Sequence, residues 1–154
     1  MNVELDIALR LGAATLIGAV IGLNRDLHGK PTGVRTLGLV GLGAALVVLA
    51  STDFLATLPA VDANPVSRAI QGVLTGIGFL GAGVIVRGGG GRKVQGFTTA
   101  ALIWLTACMG IVCGLGAWVP AAVAFCLVFL LILGGGSLER HLHTTAERDQ
   151  SEAG

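Results

Sequence analysis

Residues able to do chemistry are few in this sequence, and they cluster. Asn24, Arg25 and Asp26 precede Arg35 and Thr36, and Thr98 and Thr99 occupy a corresponding place later in the chain. Hydroxyls and backbone N–H groups at two helix N-termini, beside arginines, suit an anion or a lipid headgroup, whereas Asn24 and Asp26 offer oxygen to a hard cation. One carboxylate makes a poor cation site, which leaves Asp26 as a weak metal candidate. The same residues equally well cap helices and set topology. A second stretch, Gly76-Ile-Gly78-Phe-Leu-Gly81, matches the dinucleotide fingerprint G-x-G-x-x-G. A third, His141-Leu-His143 with Glu139, resembles a metal-ligand set, but side chains two apart on a helix diverge.

The fingerprint fails on context. It needs a preceding strand, a phosphate-binding turn that opens a helix, and an acid about 20 residues later for the ribose. Here the glycines sit inside an apolar run, and no Asp or Glu occurs between Asp62 and Glu139. No nucleophile and base stand together, so no enzyme and no cofactor are expected. Cys108, Cys113 and Cys126 lie in apolar runs without a C-x-x-C, and read as packed or lipid-facing thiols.

The elements that carry these residues follow from composition. Of 154 residues, 53% are hydrophobic and 12% charged, about half the charged share of a soluble domain. Mean hydropathy is +0.82. This predicts an all-α polytopic membrane protein with five transmembrane helices, at about 5–24, 36–52, 67–86, 97–114 and 118–136. Pro59, Asp62 and Pro65 mark a loop between the second and third, with Pro65 suited to the first helical turn. Glu4 and Asp6 replace the basic start of a signal peptide, so the first span is expected to be retained. Residues 1–136 form the membrane domain, and 137–154 are expected to be a short disordered tail.

Eight of the ten basic residues fall in three segments: Arg25, Lys30 and Arg35; Arg87, Arg92 and Lys93; Arg140 and Arg148. Five spans put all three on one side, which predicts an outside N-terminus and a cytoplasmic C-terminus. Adding or removing one span would split them. Arg10 lies 13 residues, about 20 Å, before Leu23, so it is an intramembrane charge whose nearest partner is Asp6. Arg68 sits at the outer end of its helix, as an interface anchor.

Glycine gives the third helix two smooth faces: Gly72, Gly76 and Gly83 on one side, Gly78 and Gly81 on the other. Small faces let helix backbones approach in lipid, so a central third helix is expected. Thr15, Gly18, Ala19 and Gly22 give the first helix a similar face, and the two are expected to pack together. The hairpins also echo each other. Arg10 and Gly18 precede Arg68 and Gly76 by 58 positions, and Gly33-Val-Arg-Thr36 resembles Gly96-Phe-Thr-Thr99. A parallel repeat of two helical hairpins explains the echo, as does chance matching of Gly-rich apolar sequence.

Three blocks resemble the bacterial MgtC/SapB family of membrane proteins: IGLNRDLHGKPTGVRT at 21–36, GIGFLGAGVIVRGG at 76–89 and GFTTAALIWLTACMGI at 96–111. The resemblance implies a multi-pass protein of the bacterial cytoplasmic (inner) membrane, associated with growth in low magnesium and with virulence. It also implies modulation of other membrane machinery, the ATP synthase included. The family's first block usually reads G-L-E-R-E, where this chain has Gly22-Leu23-Asn24-Arg25-Asp26, which puts any role of the first glutamate in doubt. Longer members carry a soluble C-terminal domain that this sequence does not continue into. The preferred reading is therefore an MgtC/SapB-type contributor to magnesium and cation homeostasis that acts on other membrane proteins. Its expected partners are membrane lipids, a second copy in a homodimer, and another membrane complex, with no nucleic acid. The alternatives are an ion channel or transporter for Mg²⁺ or K⁺, and an accessory subunit without ion contact.

Overall fold

The computed structural model describes residues 2–56, 64–87 and 96–134. Within them the chain forms α1 (Val3–Leu27), α2 (Val34–Ala56), α3 (Asn64–Arg87), α4 (Phe97–Gly114) and α5 (Trp118–Gly134), with no strand among the described residues. The helices α1 to α4 are each long and apolar enough to cross a membrane, and the fold is that of a polytopic membrane protein. Over the described residues α5 is a shorter apolar helix. The connections 57–63 and 88–95, with Arg92 and Lys93, lie outside the described residues, as does the chain from 135 with Glu139, His141 and His143. Two compact units are distinguished, Met1–Ala121 and Ala122–Gly154. The first holds α1 to α4. In the second, Phe125 and Phe129 stack one helical turn apart, with ring centroids 5.9 Å apart.

Glycine closes two of the helices. Gly29 takes φ +61°, its N–H donating to the Asp26 carbonyl while the Lys30 N–H donates to that of Arg25. At the end of α4, Gly116 takes φ +71°, its N–H donating to the Cys113 carbonyl and that of Ala117 to Val112. Both ends are Schellman motifs, in which only a residue without a Cβ enters the left-handed region at no steric cost.

Packing centres on α2 and α4. Lipid tails are as apolar as the helices, so association depends on close backbone approach. On α1, Ala14, Gly18 and Gly22 recur every fourth residue. A Cβ on Gly18 would collide with the Leu37 carbonyl of α2, and one on Gly22 would stand 2.6 Å from the Gly33 carbonyl carbon. The other side of α2 meets α4 in parallel. A Cβ on Gly110 would collide with the Gly41 carbonyl, and one on Gly114 would lie 2.8 Å from that of Ala45. Ala14, Ala45, Cys113 and Ala121 form one core cluster; Ala44, Val48, Ala107 and Ile111 form another.

This corrects the expectation of a central third helix packed on the first. Ten residues of α4 are buried, whereas Gly81 alone is buried over 65–85 of α3. The face of α1 that carries Thr15, Gly18, Ala19 and Gly22 meets α2 instead. On α3 the packed stripe is Ile70, Val73, Leu74 and Ile77, at i, i+3, i+4 and i+7, against α2 and α4. Nothing stands within 4 Å of a Cβ built on Gly72, Gly76, Gly78 or Gly83, and Gly81 meets only the Ala100 methyl at 3.5 Å. Bulky branched side chains, which fill the space between helices, set the contact of α3. Its glycines merely leave space.

Candidate functional site

The Schellman end of α1 turns the chain through Lys30, Pro31 and Thr32 into α2. Thr32 holds φ +63°, and its hydroxyl donates to the Pro31 carbonyl. This turn folds back over α1 and places the Pro31 carbonyl beside Arg25. Arg25 is only 4% exposed. Its Nε donates to the Pro31 carbonyl at 2.9 Å, and one terminal nitrogen donates to Thr99 Oγ1 at 2.5 Å. Thr99, also 4% exposed, lies in the first turn of α4. One guanidinium thus joins the end of α1, the α1–α2 turn and the start of α4. Its fork geometry lets a single rigid group donate in both directions.

Asp26 serves the same junction differently. Its Oδ2 accepts the Val34 N–H at 2.9 Å, so it caps α2 from across the turn, and its negative charge faces the positive end of that helix. Gly33 makes this reach sterically feasible, because a Cβ there would collide with the Asp26 carboxylate. His28 Nδ1 lies 2.6 Å from the Asn24 carbonyl. Of the residues singled out in the sequence, Arg25 and Thr99 come together and Asp26 joins the helix start at Val34. Arg35 and Thr98 are exposed, and Asn24 is half-buried. Thr36 instead lines an open groove of about 540 Å³ between α2 and α3, walled by Leu39, Val40, Val47, Val73, Ile77 and Leu80 and floored in part by Gly43, Gly72 and Gly76. No group of three or more His, Cys, Asp or Glu residues gathers among the described residues.

At the opposite end, Arg10 pairs with Asp6 at 2.7 Å, one turn away, and donates to the Gly114 carbonyl at 3.1 Å. That carbonyl is among those a helix C-terminus leaves without an intrahelical donor, and a cation there complements the helix dipole. The Arg10 Nε is buried without a protein partner. Gly116 lies beneath the guanidinium, where a Cβ would come 2.9 Å from its central carbon. Arg68 is exposed.

Sequence reasoning missed the Pro31 carbonyl, the Gly33 approach and the packing pair Gly110 and Gly114. That pair is legible as a small-x-x-x-small spacing, but α3 carries more glycines, and spacing alone does not tell which of them meet a neighbouring backbone. The Pro31 contact has no sequence signal, because the turn alone brings that carbonyl to Arg25.

The MgtC family model matches residues 11–141, which include every element of this junction. The chain belongs to the MgtC family. Protein SrpB of Synechococcus elongatus is 41% identical over 142 residues, covering 88% of this chain and 78% of that protein. Protein SapB of Bacillus subtilis is 36% identical over 133 residues, 84% of this chain and 56% of SapB. Protein MgtC of Salmonella typhimurium is 41% identical over 120 residues, 78% of this chain and 48% of MgtC. The chain thus spans about half the length of the SapB and MgtC relatives. No solved structure matches it. The membership supports a magnesium-related role and a membrane setting.

Proposed function

We propose that this MgtC-family protein contributes to magnesium homeostasis and adaptation to low magnesium by contact with other proteins of the bacterial cytoplasmic membrane, not by conducting an ion. One observation carries the reading: the junction of α1, α2 and α4 is closed by its own residues. Glycine-mediated backbone contacts run along α1–α2 and α2–α4, and the buried Arg25 binds Thr99 and Pro31 at their basic end. A cation path there would have to pass a fixed guanidinium, and Asp26, the next residue in the chain, is engaged as a helix cap. The bias of the basic segments supports reading this end as cytoplasmic and the N-terminus as outside. The exposed apolar face of α3 is available for a protein partner, whether a second copy or a larger complex such as the ATP synthase. No enzymatic step is invoked.

Affinity capture from native membranes of cells grown in low magnesium, after crosslinking, tests this. The reading expects at least one membrane protein enriched with the wild-type chain and lost when Gly78 and Gly83 of α3, which are exposed and do not line the α2–α3 groove, are both replaced by Trp. Equal recovery of all proteins with both chains contradicts it.

A further inference from the structure

We propose that the groove between α2 and α3 binds an acyl chain of an anionic phospholipid from the leaflet at the basic end, with the lipid phosphate held by Arg35 and Thr36. The direction of the helices fixes the ends of the groove. Gly81 of α3 faces Ala100 of α4, and Gly96, just before α4, lies against Val84, so α3 runs against α4. The Gly41–Gly110 and Ala45–Gly114 contacts make α4 parallel to α2. Leu80 and Thr36 therefore share the basic end, while Gly72 and Val47 lie at the other.

From Thr36 to Val47 the α2 wall rises about 16 Å. Half of a hydrocarbon core of about 30 Å is about 15 Å, so the groove has the depth of one leaflet. Its walls are Leu and Val with Ile77, and the open space over Gly43, Gly72 and Gly76 leaves a channel where side chains would otherwise fill the gap. The mouth is polar and positive. Arg35 is exposed and does not line the groove, but it begins the four-residue row of α2 that continues through the lining residues Leu39 and Gly43, so its long side chain is within reach of the mouth that Thr36 lines. Lys30, also exposed, stands in the preceding turn. Among the described residues the carboxylate of this end, Asp26, is tied to the Val34 N–H on the side of α2 that faces α1. A phosphodiester suits the arginine fork, and its attached chain suits the channel.

Native mass spectrometry of the purified full chain, released from bilayers of equal phosphatidylglycerol and phosphatidylcholine, tests the proposal. The wild-type chain retains phosphatidylglycerol in preference to phosphatidylcholine. Arg35→Gln, an exposed substitution, lowers that preference about fivefold while a lipid still binds. Gly43→Leu with Gly76→Leu, both directed into open space, reduces retention of either lipid, and the control Gly12→Leu does not. An undiminished preference in Arg35→Gln, or full lipid retention in the double leucine variant, overturns the proposal. So does a wild-type dimer that the two leucines dissociate, because the groove would then belong to a second copy.

Discussion

Arg25 is the residue on which the α1–α2–α4 junction turns. Its charge is buried and two of its five N–H donors go to a hydroxyl and a carbonyl, so removing either partner leaves one of them without its acceptor. Thr99→Val should therefore destabilise the protein by about 1 to 3 kcal/mol, and Thr99→Ser should restore most of the loss. Arg25→Lys should not rescue Arg25→Met fully, since an ammonium cannot reproduce the two-way fork. Unfolding in mixed micelles with increasing SDS measures all four. Asp26 separates capping from ion binding. As a cap, Asp26→Asn keeps an acceptor and should cost little, while Asp26→Ala should cost about 1 kcal/mol. Loss of stability in Asn equal to that in Ala would show that the charge, not the cap, matters. Arg25, Asp26 and Thr99 were all legible as a polar cluster at helix ends. Their division into a lock and a cap was not, because it depends on which way the turn through Pro31 folds.

The helices themselves were readable to within a few residues, since a run of apolar residues about 20 long leaves little freedom in lipid. Their neighbours were harder to read. Counting glycines pointed to α3 as the central helix, yet a glycine permits close approach without requiring it, and the branched stripe Ile70, Val73, Leu74 and Ile77 decides how α3 packs. The two views predict opposite outcomes for the same substitution. Gly18→Ala and Gly110→Ala press a methyl onto a neighbouring backbone carbonyl and should each destabilise by about 1 to 3 kcal/mol or more. Gly76→Ala meets nothing and should be close to neutral. Apparent melting temperatures of the three variants in one detergent distinguish them, and a large loss for Gly76→Ala with none for Gly110→Ala would reverse the assignment of centre and periphery.

For the whole molecule, the order of contacts bears on the repeat. The peripheral helices α1 and α3 each touch both α2 and α4, and α2 touches α4, an order unchanged when the two hairpins are exchanged. In each hairpin the second helix opens at a glycine, Gly33 or Gly96, laid against the first. Aligned on Gly33 and Gly96, Thr36 takes the place of Thr99, whereas the 58-position offset of Arg10 and Gly18 puts Gly83, not an arginine, in the place of Arg25. The α1–α4 side is sealed by Arg25 and Thr99, while the α2–α3 side holds a groove, so two hairpins alike in contact order present unlike faces. A sealed junction and a lateral apolar groove together favour action by contact over conduction. Flux is the most direct measurement of that claim: purified protein in liposomes loaded with a Mg²⁺-sensitive dye, under an imposed Mg²⁺ gradient. The account predicts dye signals equal to those of protein-free vesicles for both the wild-type chain and Asp26→Ala. A saturable Mg²⁺ flux in the wild-type chain that Asp26→Ala abolishes would contradict it.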